Sequence, residues 1–314
     1  MIVTPPDTAS NLPDQLVASI EVNSLHASLS ADFALTIPAF RLRQGEMTAV
    51  IGPNGSGKTT LLSFLLGVRR ASEAKLSLLD DSPQQLSRAT RLRLGVQMQH
   101  AGYNDLYLVR DIMQMHQSLY PITRTDVFAA FQIEELLKKR YGSLSSGQQQ
   151  RLQLAMALAH SPDLAIFDEP TSNLDPHFEQ IFCGLLQQQA TANPQFSCLF
   201  ITHSPRMVSI CDRILFLRAG KIEHHGSKQS LVNDLFGSFA CAFNGTPEVL
   251  TQVEMAFKGA QGLRKQNMRG ETLTYYGDAS LKPIAIAAAA QADLQLFTMW
   301  TPGAADLLES IKHV

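Results

Sequence analysis

Hydrophobic positions along the chain follow two rhythms. Short runs of period two, at residues 17–22, 33–37 and 40–42, suit half-buried strands. After Gly45 a compact apolar segment, 47–51, leads into GPNGSGKTT and then into an apolar-rich stretch at 61–68. That order predicts strand, glycine loop, helix. Between about 71 and 141 the pattern weakens, with helices predicted over 109–120 and 126–139 as a helix-bearing insertion. From Ser145 a regular alternation returns: a helix to His160, a buried strand at 164–167 and a helix at 176–190. A strand at 198–202, a helix at 205–211 and a strand at 214–217 complete it. Continuous apolar strands separated by helices predict a largely parallel sheet covered on both faces.

Beyond Gly237 the rhythm changes. Strands are predicted at 239–243, 263–267, 272–276 and 294–300, and helices at 247–258, 282–291 and 304–311. A βαββαβ order with an added helix predicts a small α+β domain of ferredoxin-like type. At the other end, Pro5, Pro6 and Pro13 among small polar residues predict a loose tail over 1–15.

Composition narrows the class. The 314 residues are 45% hydrophobic, enough for a sizeable core, and 26 basic against 28 acidic side chains leave a net charge of -2. Without a basic excess, no nucleic-acid partner is expected. No run approaches the length of a membrane span, and the start lacks a basic region followed by an apolar block. Four scattered cysteines without a CxxC pair suggest neither a zinc cage nor a disulfide framework, so a reducing cytoplasm is expected. His224 and His225, adjacent on a strand, face opposite sides and make a poor metal pair.

The chemistry starts at Gly52-Pro53-Asn54-Gly55-Ser56-Gly57-Lys58-Thr59-Thr60, which fits GxxxxGK[ST] between a predicted strand and a predicted helix. Glycines let backbone N–H groups wrap a phosphate, and the helix N-terminus favours an anion. Lys58 adds a point charge for the terminal phosphates, and the Thr59 hydroxyl suits magnesium.

Further segments, in order, resemble the ATP-binding subunits of ABC transporters. Leu144-Ser145-Ser146-Gly147-Gln148-Gln149-Gln150-Arg151 looks like the signature LSGGQxxR, with Ser145 as helix N-cap and Ser146 where the family usually has glycine. Leu164-Ala165-Ile166-Phe167-Asp168-Glu169-Pro170 is an apolar strand ending in two acids; the resemblance makes Asp168 a magnesium carboxylate and Glu169 the carboxylate that orients water. Ser172-Asn173-Leu174-Asp175 resembles the D-loop, Asp175 also being a good N-cap. His203, after Ile201-Thr202, reads as the family's switch histidine. Gln99 matches the glutamine that senses magnesium and water, with Gln97 two residues earlier on the same predicted strand face.

The resemblance covers about 17–235 and implies an α/β P-loop NTPase of ABC type. Its parts are a mostly parallel sheet core, an antiparallel β subdomain and a helical subdomain at about 100–160. The domain would span 16–236, ahead of a C-terminal α+β extension at 237–314. ATP with Mg²⁺ is implied. So is a second copy or paired ATPase subunit, head to tail, because one chain holds one phosphate loop and one signature. Integral membrane subunits, contacted through roughly 100–115, would place the chain on the cytoplasmic face of a membrane. The segment 210–214 and the tail resemble exporter-type members. A soluble ABC-type switch, or an importer ATPase with a regulatory tail, is the alternative. For adenine stacking, no aromatic stands at 27–30, which leaves Phe33 or His26.

Overall fold

The period-two segments become β1 (Ala18–Ser28), β2 (Ala34–Ile37) and β3 (Phe40–Arg43), and the first fully apolar run becomes β4 (Met47–Ile51). The computed structural model describes residues 18–30, 33–71, 73–99, 101–121, 123–292, 294 and 296–312; the tail expected over 1–15 lies outside them. After β4 come α1 (Lys58–Leu65), β5 (Glu73–Leu78), α2 (Arg88–Leu92) and β6 (Leu94–Gln97). The helical segment holds α3 (Val109–Leu119), α4 (Thr125–Ala130) and α5 (Ser146–Leu158). Next are β7 (Leu164–Asp168), α6 (Pro176–Ala192), β8 (Ser197–Ile201) and α7 (Pro205–Ile210). Then follow β9 (Arg213–Arg218), β10 (Lys221–Ser227) and α8 (Lys228–Phe236).

Strands β9, β4, β8, β7 and β6 lie side by side in parallel register. β4, β7 and β8 are buried at every position, as a sheet covered on both faces requires. Their residues divide by parity between two cores. Ala49, Phe167, Phe200 and Ile214 join the helices α5 and α6 on one face, while Val50, Ile166, Leu199 and Leu215 meet α1 and the antiparallel strands on the other. β1 pairs antiparallel with β2, β3 and β5, forming the antiparallel subdomain beside the parallel core.

The helix expected over 126–139 is broken. α4 ends at Ala130, Gln132 takes a left-handed conformation, and a 3₁₀ turn follows at Ile133–Leu136. Phe131 and Ile133 are both fully buried. On one α-helix they would lie about 200° apart, so both reach the core only where the helix stops. β5 and β10 are absent from the sequence reading; β5 pairs with β1 at the rim of the antiparallel subdomain, and the largely polar β10 joins β9 to β2.

The second sheet is built from β11 (Phe239–Asn244), α9 (Pro247–Phe257), β12 (Leu263–Arg269), β13 (Thr272–Gly277), α10 (Lys282–Gln291) and β14 (Leu296–Trp300), followed by α11 (Ala304–Lys312). Its order is β12-β13-β11-β14, all antiparallel, a split βαβ arrangement. On one face Phe239, Cys241, Phe243 and Tyr275 pack under α9 and α10. On the other, Ala240, Tyr276 and Trp300 join the core of the first sheet together with Leu307 and Leu308 of α11. Each buried leucine contributes about 2 kcal/mol, enough to keep α11 seated. The buried Asp306 carboxylate fixes that seat: Tyr276 Oη (3.0 Å), Trp300 Nε1 (3.0 Å) and the Gly303 N–H (2.9 Å) all donate to it.

Candidate nucleotide site

The glycine loop joins the carboxyl end of β4 to α1 on the central strands of the sheet. Its shape depends on missing side chains. At Gly52 (φ 155°) a Cβ would sit 2.0 Å from the Leu217 carbonyl oxygen, and at Gly57 (φ 101°) it would crowd Leu35 and Phe33. Gly57 is also the N-cap of α1 and supplies no side-chain cap, so the first-turn amides keep their capacity for an anion. Lys58 Nζ curls back and donates to the carbonyls of Gly52 (2.9 Å) and Pro53 (3.0 Å).

Facing the loop, β7 ends in the fully buried Asp168, whose Oδ1 accepts from Thr59 Oγ1 at 3.3 Å. Glu169 follows with φ 49°, a left-handed turn that swings the next carboxylate out of the sheet. Its backbone N–H donates to the Ile201 carbonyl, and its carbonyl accepts from Ser172 Oγ at 3.0 Å. Glu169 Oε1 lies 3.4 Å from His203 Nε2. Burial pushes the Glu169 carboxyl above the usual range, with Lys58 opposing and Asp168 adding to the shift. Burial likewise pushes Lys58 down, against the pull of the two carboxylates. A desolvated cation, held by two loop carbonyls, thus lies in the field of two desolvated acids.

A cleft of about 370 Å³ gathers these groups: Asn54 to Thr60, Gln99, Asp168 and Glu169, with Phe33 at its edge. Gln99 and Gln97 part company because β6 ends at Gln97. Gln97 turns inward, buried with neither amide atom partnered among the described residues, and lines a different groove. His26 is an exposed side chain of β1 beside Thr36 Oγ1 (3.0 Å), whereas Phe33 reaches the cleft.

The donor set fits a nucleotide with Mg²⁺. A hydroxyl and a carboxylate 3.3 Å apart are hard oxygen ligands, and among the described residues no group of three or more His, Cys, Asp or Glu could hold a metal unaided. Magnesium bound by one or two protein oxygens completes its shell with phosphate and water.

The signature residues form a second, separate cleft of about 130 Å³, lined by Ser145, Gly147, Gln148, Asn173 and Asp175. Ser145 Oγ accepts from the Gln148 N–H (3.3 Å), and Gln148 Oε1 accepts from the Ser145 N–H (3.2 Å), closing a capping box. Ser146, in place of glycine, is the first helical residue and leaves that box intact. Gly147 is closely confined: a Cβ would stand 2.9 Å from the Asn173 carbonyl oxygen. Asp175 Oδ1 accepts from the N–H groups of His177 and Phe178, both at 3.0 Å, capping α6.

Sequence reading missed Gln150. It is buried on α5, and its Nε2 donates to the Pro170 carbonyl at 2.7 Å, tying the signature helix to the turn that carries Glu169. A glutamine in line with Leu154 on the buried face of α5 was the available signal.

Similarity to known proteins agrees with this geometry. The family model for ABC transporters matches residues 35–172. The chain is 32% identical over 201 residues to the ABC transporter ATP-binding protein YxdL of Bacillus subtilis, covering 60% of this chain and 78% of that one. It is 25% identical over 267 residues to the Nod factor export ATP-binding protein I of Rhizobium johnstonii, with coverages of 82% and 84%. A third relative is the sn-glycerol-3-phosphate import ATP-binding protein UgpC of Jannaschia, 28% identical over 68% of this chain and 63% of its own. A solved ATP-binding subunit of an ABC transporter shares the fold, with a TM-score of 0.60, 21% identity and coverage of 68% and 91%. The chain belongs to the ATP-binding, ATP-hydrolysing subunits of ABC transporters.

Proposed function

We propose that this chain drives export through separate membrane subunits, as a head-to-tail dimer whose two ATP sites are each shared between chains. One observation carries the reading: the phosphate-loop cleft and the signature cleft are separate in one chain, each lined by part of the expected set. A second copy or paired relative, docked head to tail, brings Ser145, Ser146, Gly147 and Gln148 over the nucleotide held by the loop Gly52–Thr60, with Asp175 at the junction.

Lys58, freed from the loop carbonyls, neutralises the terminal phosphates. Thr59, Asp168 and Gln99 are the residues that would hold Mg²⁺, which when bound offsets phosphate charge. Glu169, ionised, accepts a hydrogen bond from the attacking water and aligns it, while His203 donates to the γ-phosphate from 3.4 Å beyond Glu169. Phe33 stacks on adenine.

A groove of about 520 Å³ between β6, α3 and α5 would receive the membrane subunit; Met115 and Leu119 at its rim are exposed apolar side chains. Among the described residues no helix is long and apolar enough to cross a membrane, so this docking would hold the chain on the cytoplasmic face. Export rather than import is supported by the Nod factor export relative, whose match covers 82% of this chain against 68% for the importer. We take 16–236 as the ATPase unit and 237–314 as its extension.

The test is Glu169→Gln. The variant should bind ATP, lose turnover and accumulate as an ATP-bound dimer in light scattering; unchanged hydrolysis, or a monomer with ATP, contradicts the proposal. Loading of inside-out vesicles on ATP addition checks the direction.

A further inference from the structure

Between the ATP-loop sheet and the C-terminal sheet lies a cleft that the nucleotide site does not use. It has two adjoining chambers of about 270 and 180 Å³ that share Lys265 and Ser310. The larger is polar, with Asn267, Arg269, Tyr276 and Glu309 in its wall. The smaller has an apolar side of Ile51, Phe216, Leu231, Leu235 and Leu307, facing Arg218, Glu223 and His224. Ile51 is the last residue of β4, immediately before Gly52 of the phosphate loop.

The charges around the cleft are accounted for, with one exception. Arg269 is paired with Glu309, and Arg218 with Glu223 at 3.7 Å. Asp306 is satisfied by Tyr276, Trp300 and the Gly303 N–H. Lys265 makes no ion pair and no hydrogen bond among the described residues; its ammonium sits 5.2 Å from the centre of the Phe236 ring. Burial and the like charge of Arg269 both push it below the usual lysine range, and no carboxylate offsets them. A half-buried cation without an anion is costly. Here it stands at the junction of the two chambers.

We propose that this cleft is a binding site for a small organic anion with an apolar tail, its carboxylate or phosphate on Lys265 and its tail against Leu231, Leu235 and Leu307. Occupancy would bear on Ile51 and so on the root of the phosphate loop. This site is independent of how the ATP site assembles.

The probe is octanoate, titrated into the full-length protein with the phosphate loop saturated by ADP and followed by calorimetry. Inorganic phosphate and octanamide separate head-group charge from apolar tail. Octanoate should bind more tightly than either, and Lys265→Met should weaken it at least about tenfold. Leu235→Ser should weaken octanoate and leave phosphate unaffected. Both variants should keep the wild-type melting profile and ADP affinity. Absence of octanoate binding at millimolar concentration, equal binding of octanamide, or wild-type affinity in Lys265→Met each overturns the proposal. Binding of phosphate alone would do so too.

Discussion

The two clefts use the same part, a helix N-terminus beside a glycine, and leave it in opposite states. At the phosphate loop Gly57 caps nothing, and Lys58 is parked on the Gly52 and Pro53 carbonyls within the field of two acids. At the signature, Ser145 and Gln148 close a capping box, so the helix start is already rigid and internally satisfied. The first is built to change partners when a nucleotide arrives. The second is preorganised and has little to rearrange, as a surface offered to another chain should be. On the proposed head-to-tail reading, the signature would act through the shape of a rigid helix start, and the loop through its uncapped first-turn amides and the charge of Lys58.

Breaking that division should have graded effects. The largest is expected at Gly147→Val, which forces a side chain against the Asn173 carbonyl. Turnover should fall about a hundredfold, the cost of losing an oriented donor at the reacting phosphate. Nucleotide affinity of the isolated chain should stay near wild type in equilibrium dialysis. A smaller effect is expected at Gln150→Leu, which leaves the buried Pro170 carbonyl without its donor, a loss of about 1–3 kcal/mol. Because this bond positions the Glu169 turn, kcat should drop about tenfold with KM for ATP unchanged, and Gln150→Glu should not rescue it. Steady-state kinetics decide the matter.

The smallest effect is a pH dependence outside both clefts. His160 donates through Nε2 to the Leu94 carbonyl, stacks on Tyr120 at 4.0 Å and lies beside His116, whose Nε2 faces the Met156 carbonyl. Burial, aided by His116, lowers its pKa to about 4. The unfolded chain, with a histidine near 6.5, therefore binds the extra proton first. Stability from this group is complete above about pH 6.5 and is lost as pH falls toward 4. His160→Gln should flatten the fall in urea-unfolding midpoint across that interval.

How far the sequence reached follows from the range of each signal. The phosphate loop, the acids after β7 and the capping residues Ser145 and Asp175 are local chemistry, readable within a few residues. The C-terminal strands and helices were readable because each carries its own clear period and turn residues. What failed was set by distant partners. The break at Gln132 comes from two aromatic and aliphatic neighbours that both have to reach the core. The separation of Gln97 from Gln99 comes from where β6 ends. β10 has little apolar pattern because β9 and β2 supply its pairing, while β5 alternates Ala74, Leu76 and Leu78 with polar residues over too short a run to stand out. The bond from Gln150 to Pro170 joins residues twenty apart; its one local mark is a glutamine in line with Leu154 on the buried face of α5, and nothing near it names the partner.

The most direct measurement mixes two impaired variants. Glu169→Gln keeps a sound signature and Gly147→Val keeps a sound phosphate loop, so a mixed dimer contains one complete site assembled from both chains. ATP hydrolysis should return on mixing, rising with the fraction of mixed dimer well above the residual rate, about a hundredth of wild type or less, of either variant alone. If the mixture stays as inactive as its components while light scattering shows that mixed dimers form, the site is not shared between chains and the account is wrong.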